Sequence, residues 1–201
     1  HLGTLDPLAT GVLPLACGRA TRLVRFLTAS DKHYEATIRF GVTTDSYDVT
    51  GQEVSRSDRI PAREDVERAI ESLRGDHDQI PPAFSAKKVS GQRAYAMARR
   101  AEPVALRPVP VRLMTIDLLE FTGASARVAL SCSAGFYVRS FAHAVGEALG
   151  TGACLDALCR TRSGPFDLSE AATLEDLQRD AAAAASRALP MDRLLLNLPG
   201  A

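Results

Sequence analysis

Gly3-Thr4-Leu5-Asp6-Pro7-Leu8-Ala9-Thr10-Gly11 places one carboxylate in a short turn that is otherwise apolar or small. Pro7 fixes its own φ and biases Asp6 away from helical geometry. Gly3 and Gly11 let the backbone bend and let another molecule come close. Leu5, Leu8, Val12 and Leu13 are spaced to anchor the loop on a core. The stretch reads as the rigid presentation of a single charged group, which a functional site requires and an ordinary surface loop does not.

Outward from this turn, Lys32 to Gly41 alternates Tyr34, Ala36, Ile38 and Phe40 with Glu35, Thr37 and Arg39, the period-two pattern of a strand with one buried face. Thr43 to Gly51 reads as a loop rich in Thr, Asp, Ser and Gly. Pro61 to Arg74 reads as a helix, with Val66, Ala69, Ile70 and Leu73 on one face and Gly75 just past its end. A short helix is expected over Gln92 to Arg100. Pro103, Pro108 and Pro110 exclude a central strand at the start of the next segment. Strands follow over Val111–Phe121 and Ala126–Cys132. Phe136 to Leu149 is helical, with Gly150 as its stop. Leu155 to Phe166 is extended in part, and Thr173 caps a last helix running to Ser186. The mixed order of elements, without βαβ alternation, predicts an α+β fold: a mixed, mostly antiparallel sheet flanked by helices.

The 201 residues suffice for one substantial core. No apolar run is long enough to span a bilayer, and no signal peptide is evident. The chain starts at His1 without an initiator Met and is read as a fragment. Cys17, Cys132, Cys154 and Cys159 show neither CxxC spacing nor a His at a zinc-ligand offset, so a metal-free cytoplasmic protein is expected. Cys132 alternates with apolar residues and is expected to be a buried thiol. Net charge is zero, yet Lys87 to Arg112 carries seven basic residues and one acid, net +6, against −6 elsewhere. Such a patch fits docking onto a defined phosphate backbone, and it equally fits a solvated helix face.

Beyond Asp6, the polar features that stand out are Tyr34 at the head of the first strand, Lys87 after Gln79-Ile80-Pro81-Pro82-Ala83-Phe84-Ser85, and Gly135-Phe136-Tyr137-Val138-Arg139-Ser140 opening a helix. Tyr34 reads either as a site residue or as an edge residue with an exposed hydroxyl. Arg139 reads either as a surface arginine or as a cation in the first helical turn, where it opposes the macrodipole and calls for an anion. Asp6 is one candidate for that anion. His33, His77 and His143 read as structural, and Tyr95 and Met97 as packing.

The run GTLDPLATGVLPLACGRATR, then Lys32-His33-Tyr34, then QIPPAFSAKK, then GFYVRS, resembles the bacterial-type TruB family of tRNA pseudouridine synthases. The motifs keep the family's order over nearly the whole chain. The resemblance implies the pseudouridine synthase fold, with residues 1–201 as the catalytic domain. It further implies that an N-terminal segment is missing, that a basic RNA-contacting insertion spans about residues 79–112, and that the PUA-type C-terminal RNA-binding domain is absent. Asp6 would be the catalytic aspartate, and Arg139 the arginine paired with it. Tyr34 would stack on the uracil and assist proton removal. Tyr137 and Leu158 would line the pocket, and His1 would fill the gap left by the extruded uridine. Lys87 and Lys88 would lie against the T arm of tRNA.

The implied reaction converts uridine 55 of tRNA to pseudouridine after base flipping, with no metal or other cofactor, in a cytoplasmic monomer. Cleavage of a glycosidic bond builds positive charge on the sugar, which an ionised carboxylate stabilises or traps. Extruding the target base costs a few kcal/mol, less from a loop than from a duplex. Leu5, Leu8 and Leu158 would keep water out. A tRNA-binding folding chaperone is the alternative from another class. A nucleoside hydrolase would call for a calcium-binding aspartate cluster, which the sequence does not show.

Overall fold

The computed structural model describes residues 1–85, 88–89, 92–93, 100 and 106–192. A seven-stranded sheet organises the chain. In chain order its strands are β1 (Ala9–Gly11), β2 (Lys32–Phe40), β5 (Gly75–Gln79), β8 (Val109–Phe121), β9 (Ser125–Cys132), β10 (Ala153–Ser163) and β11 (Phe166–Asp167). Their spatial order is β1-β10-β2-β9-β8-β5, with β11 hairpinned onto β10. β1 runs parallel to β10, and every other pairing in the sheet is antiparallel. The expected α+β fold with a mixed, mostly antiparallel sheet is therefore the one observed. Two small hairpins stand apart: β3 (Val42–Thr44) with β4 (Glu53–Arg56), and β6 (Lys88–Val89) with β7 (Gln92–Arg93).

The helices α2 (Arg63–Ser72) and α3 (Val138–Leu149) pack against each other and onto the sheet. Val66, Ala69 and Ile70 of α2 join Phe141, Ala142, Val145 and Leu149 of α3 in one core with Ile38, Leu113, Val128 and Leu155. Each large apolar side chain buried there contributes about 1.5–3 kcal/mol. Glu64 and Asp65 in the first turn of α2 complement its dipole. Gly150 closes α3 in the left-handed conformation, at φ 63°. At Gly146 a Cβ would sit 2.1 Å from the Ala153 nitrogen, so the absent side chain lets α3 lie directly on β10.

α1 (Val24–Leu27) continues a 3-10 turn over Gly18–Leu23, and a smaller cluster of Leu2 and Leu27 holds it. Pro110 lies opposite Asp78 of edge strand β5, ahead of the stretch where β8 pairs with β9, so its missing N–H interrupts no central ladder.

Several expectations are corrected. Gln92 and Arg93 form strand rather than helix, while Tyr95 and Met97 lie outside the described residues. The expected loop at Thr43 begins as β3. The last helix is two, α4 (Leu174–Arg179) and α5 (Ala181–Ser186), because Asp180 leaves helical geometry and accepts a 2.9 Å bond from the Ala183 N–H. Thr173 caps α4 as expected, accepting from the Asp176 N–H at 3.0 Å.

Candidate active site

The Asp6 turn is fastened to the sheet by β1. Ala9, Thr10 and Gly11 lie opposite Leu158, Cys159 and Arg160 of β10, and Arg160 in turn lies opposite Tyr34 of β2. Gly11 adopts φ 98°, and a Cβ there would fall 2.2 Å from the Arg160 carbonyl oxygen. This contact is the specific reason for a glycine at the end of the turn. Within the turn the Ala9 N–H donates to the Asp6 carbonyl at 2.9 Å.

Arg139 rises from the first turn of α3 and meets Asp6. Its Nε donates to Asp6 Oδ2 at 2.9 Å and its Nη2 to Asp6 Oδ1 at 2.8 Å. This bidentate fork is the strongest geometry available to an arginine–carboxylate pair. The remaining N–H groups are also matched. Nη2 donates to the Phe84 carbonyl at 2.9 Å, Nη1 donates to the Ser46 carbonyl at 3.1 Å, and Asp48 Oδ2 lies 3.6 Å from Nη1. The Arg139 side chain is 4% exposed and that of Asp6 27%. The arginine is thus locked, while its partner carboxylate keeps an open edge toward the cleft. The anion that the helix position called for is Asp6.

Asp48 is a buried carboxylate beside the same arginine that the sequence reading passed over. Its Oδ1 accepts from Ser46 Oγ (2.9 Å), the Thr50 N–H (2.9 Å) and Thr50 Oγ1 (2.6 Å). Asp-x-Thr spacing in a turn signals such a local network, but not that it faces an arginine. Arg160 was also missed. It is 1% exposed, its guanidinium donating to the carbonyls of Val12 (2.8 Å), Thr4 (3.3 Å) and Gly3 (3.3 Å) and also meeting the Tyr34 hydroxyl. It therefore straps both ends of the Asp6 turn to β10. Gln79 is the third such residue. It exchanges two bonds with the Tyr137 backbone, accepting from its N–H at 2.7 Å and donating to its carbonyl at 3.0 Å. That exchange caps α3, which has no side-chain cap of its own.

Tyr34 sits on an inner strand between β10 and β9, not at a sheet edge. Burial pushes its hydroxyl up to about 12; the Cys132 thiol adds to the rise, and the Arg160 guanidinium opposes it. Cys132 is buried as expected, and burial pushes its thiol up to about 12. The Lys32 ammonium donates to the carbonyls of Thr28 (2.8 Å) and Ser30, and burial lowers its pKa.

His1, Asp6, Tyr34, Tyr137, Arg139 and Leu158 all line one cleft of about 1050 Å³. Leu5 and Leu158 supply apolar wall, whereas Leu8 packs into the main core and Leu13 is exposed. Lys87 lies outside the described residues, and Lys88 is placed only as backbone in β6. Among the described residues, no group of three or more His, Cys, Asp or Glu could hold a metal ion. No helix among them is long and apolar enough to cross a membrane.

Residues 1–138 match the family model described as TruB family pseudouridylate synthase (N terminal domain), and residues 139–198 match that of the tRNA pseudouridylate synthase B C-terminal domain. The junction falls after the first residue of α3, so both matched segments contribute to one sheet, with β10 of the second inserted between β1 and β2 of the first. The chain is 50% identical over 183 residues to tRNA pseudouridine synthase B of Solibacter usitatus (strain Ellin6076), covering 90% of this chain and 62% of the relative. It is 44% identical to the protein of that name from Pseudomonas aeruginosa (strain UCBPP-PA14), covering 99% of this chain and 67% of the relative. Its fold is similar to a chain in the crystal structure of a Cbf5-Nop10-Gar1 complex, with TM-score 0.68 and 30% identity over 95% of this chain and 48% of that one. The chain thus spans about 60% of the length of curated relatives it matches. These matches show that the chain belongs to the TruB family of pseudouridylate synthases.

Proposed function

We propose that this chain is the catalytic portion of a tRNA pseudouridine synthase that isomerises uridine 55 in the T loop. The observation that carries the reading is the bidentate Asp6–Arg139 pair, open on one edge to a cleft that also exposes Tyr34 and Leu158. Relatives named tRNA pseudouridine synthase B supply the substrate class.

The chemistry follows from these positions. The uridine leaves the stack and enters the cleft, with His1 at its mouth as the group that fills the vacated place. Asp6 faces the sugar, and the C1′–N1 bond breaks with the electron pair leaving on uracil. The carboxylate stabilises or traps the positive C1′. Arg139 holds the Asp6 carboxylate in one orientation through its two-pronged hydrogen bond. The uracil anion, held between Tyr34, Tyr137 and Leu158, turns, and C5 bonds to C1′. C5 then loses its proton and N1 takes one up, which restores the conjugated ring with no net change in protons. Tyr34, a protonated phenol beside the Arg160 guanidinium, is placed to relay that transfer, accepting a proton as it gives up its own. The cycle adds and removes no atoms.

RNA docking is supported by Arg19, Arg22 and Arg25 on the 3-10 turn and α1. Residues 7–30 contain no acid, and none of these arginines has a carboxylate partner among the described residues. Such a face fits the phosphates of a T arm. It also favours a second reading, tRNA binding and refolding independent of catalysis. We place the protein in the bacterial cytoplasm with its substrate, acting as a monomer, since one chain supplies every residue named. The test is pseudouridine formation on T-arm RNA by the intact protein and its Asp6→Asn variant, with RNA affinity measured alongside. Loss of product with binding retained supports the isomerase. Equal product from both proteins removes Asp6 from its role.

A further inference from the structure

The turn that flanks Arg139 contains the one described non-glycine residue with positive φ, Tyr47 at 64°. A left-handed L-residue costs about 1–2 kcal/mol and persists only where its surroundings over-determine it. The surroundings here are specific. The Tyr47 ring lies flat on the His143 ring, with centroids 3.9 Å apart and planes within 7°. His143 is one helical turn beyond Arg139 on α3. The residues on either side of Tyr47 are those that meet Arg139 Nη1, through the Ser46 carbonyl at 3.1 Å and Asp48 Oδ2 at 3.6 Å.

We propose that the Tyr47–His143 stack is a positioning device for the active-site arginine. It ties the Ser46–Asp48 turn to the helix that carries Arg139, and thereby holds the guanidinium in the one orientation that presents its Nε and Nη2 to Asp6. Neither ring lines the cleft, so neither acts on substrate directly. The inference rests on the isomerase reading for its catalytic consequence, but not for its structural content.

Two observations separate this from ordinary packing. The same turn is already fastened to β10, because the Val49 N–H donates to the Leu155 carbonyl and the Leu155 N–H to the Tyr47 carbonyl, both at 2.9 Å. The stack is therefore not what holds the turn on the sheet. What it adds is a second link to α3, beside the contacts that Arg139 itself makes with the turn. Secondly, His143 Nδ1 is buried without a hydrogen-bond partner among the described residues. On that nitrogen the imidazole makes no directional contact, and the flat face carries the interaction. A phenyl ring should serve as well.

The test uses Tyr47→Gly, which suits the positive φ and removes the side chain without straining the backbone, with His143→Ala, and the ring-retaining Tyr47→Phe and His143→Phe. Two readouts are taken on the intact protein. One is kcat and KM for pseudouridine formation on T-arm RNA; the other is the solvent exchange rate of the Arg139 Nε–H by NMR. Aromatic pairs are strong enough that losing one should lower kcat about five- to tenfold. We expect that fall in Tyr47→Gly and His143→Ala with KM unchanged, together with faster Nε–H exchange, and no larger fall in the double variant. Both phenylalanine variants should match the parent. Parent-like exchange and kcat in His143→Ala would overturn the proposal, as would His143→Phe behaving like His143→Ala. If the parent itself makes no pseudouridine, the isomerase reading fails, and the exchange rates alone still decide the stack.

Discussion

Arg139 and Asp6 stand 133 residues apart in the chain and meet through two hydrogen bonds, at 2.9 and 2.8 Å. The pair exists because β1 docks parallel on β10 while α3 lies on that same strand. The geometry of the fork, rather than the presence of a positive charge, is what fixes the carboxylate. Arg139→Lys keeps the charge and loses the fork, since an ammonium is a point donor. It should keep its fold by circular dichroism and lose about a hundredfold or more in kcat.

Asp48 tests the other side of the same arginine. With its side chain 5% exposed, it satisfies three donors from Ser46 and Thr50 and faces Arg139 Nη1. Asp48→Ala strands these groups and should cost about 3 kcal/mol in urea unfolding, the lower end for a broken buried pair, because Arg139 retains Asp6. Asp48→Asn keeps one acceptor oxygen and should cost about 1–2 kcal/mol.

Alkaline stability follows from Tyr34 and Cys132. Burial raises Tyr34 from 10.0 to about 12 and Cys132 from 9.0 to about 12. Groups whose folded pKa is raised stabilise the fold fully below the unfolded pKa, and the contribution is lost as pH rises through the folded one. Unfolding free energy should therefore be insensitive to these two groups below pH 9 and fall between pH 9 and about 12. For Tyr34 alone the fall is about 2–3 kcal/mol. Tyr34→Phe and Cys132→Ala should each flatten that slope in denaturant titrations; an unchanged slope in both would contradict the assignment.

Gly11 offers a purely steric test. A Cβ there would meet the Arg160 carbonyl oxygen at 2.2 Å, at a backbone φ of 98°. Gly11→Ala must push β1 off β10 and move the Asp6 turn. We expect a loss of about 2–3 kcal/mol in thermal or urea unfolding, and a kcat reduced more than the stability loss alone would explain.

Legibility in the sequence tracked periodicity. The strand carrying Tyr34 and the helices α2 and α3 were readable because one face of each is apolar at the right spacing. β5, Gly-Asp-His-Asp-Gln, was not, since an edge strand half open to solvent shows no apolar alternation. The break at Asp180 was missed because the alanine run has high helix propensity throughout, although an aspartate ahead of it is an N-cap signal. Within the site, Asp6, Tyr34 and Arg139 were found through motif and family resemblance. Arg160 was missed because a buried arginine bound mostly to backbone carbonyls looks, in sequence, like any polar position of a strand. Asp48 was missed because its turn reads as solvated. No local pattern says that a turn near residue 48 closes on a helix near residue 139.

The most direct measurement of the central claim is a single-turnover assay of T-arm RNA with the intact protein and its Asp6→Asn variant, with pseudouridine quantified by mass spectrometry after nuclease digestion. The account predicts product from the parent, none detectable from Asp6→Asn, and RNA binding within about twofold between the two. Pseudouridine formed by Asp6→Asn at a rate near that of the parent would contradict it.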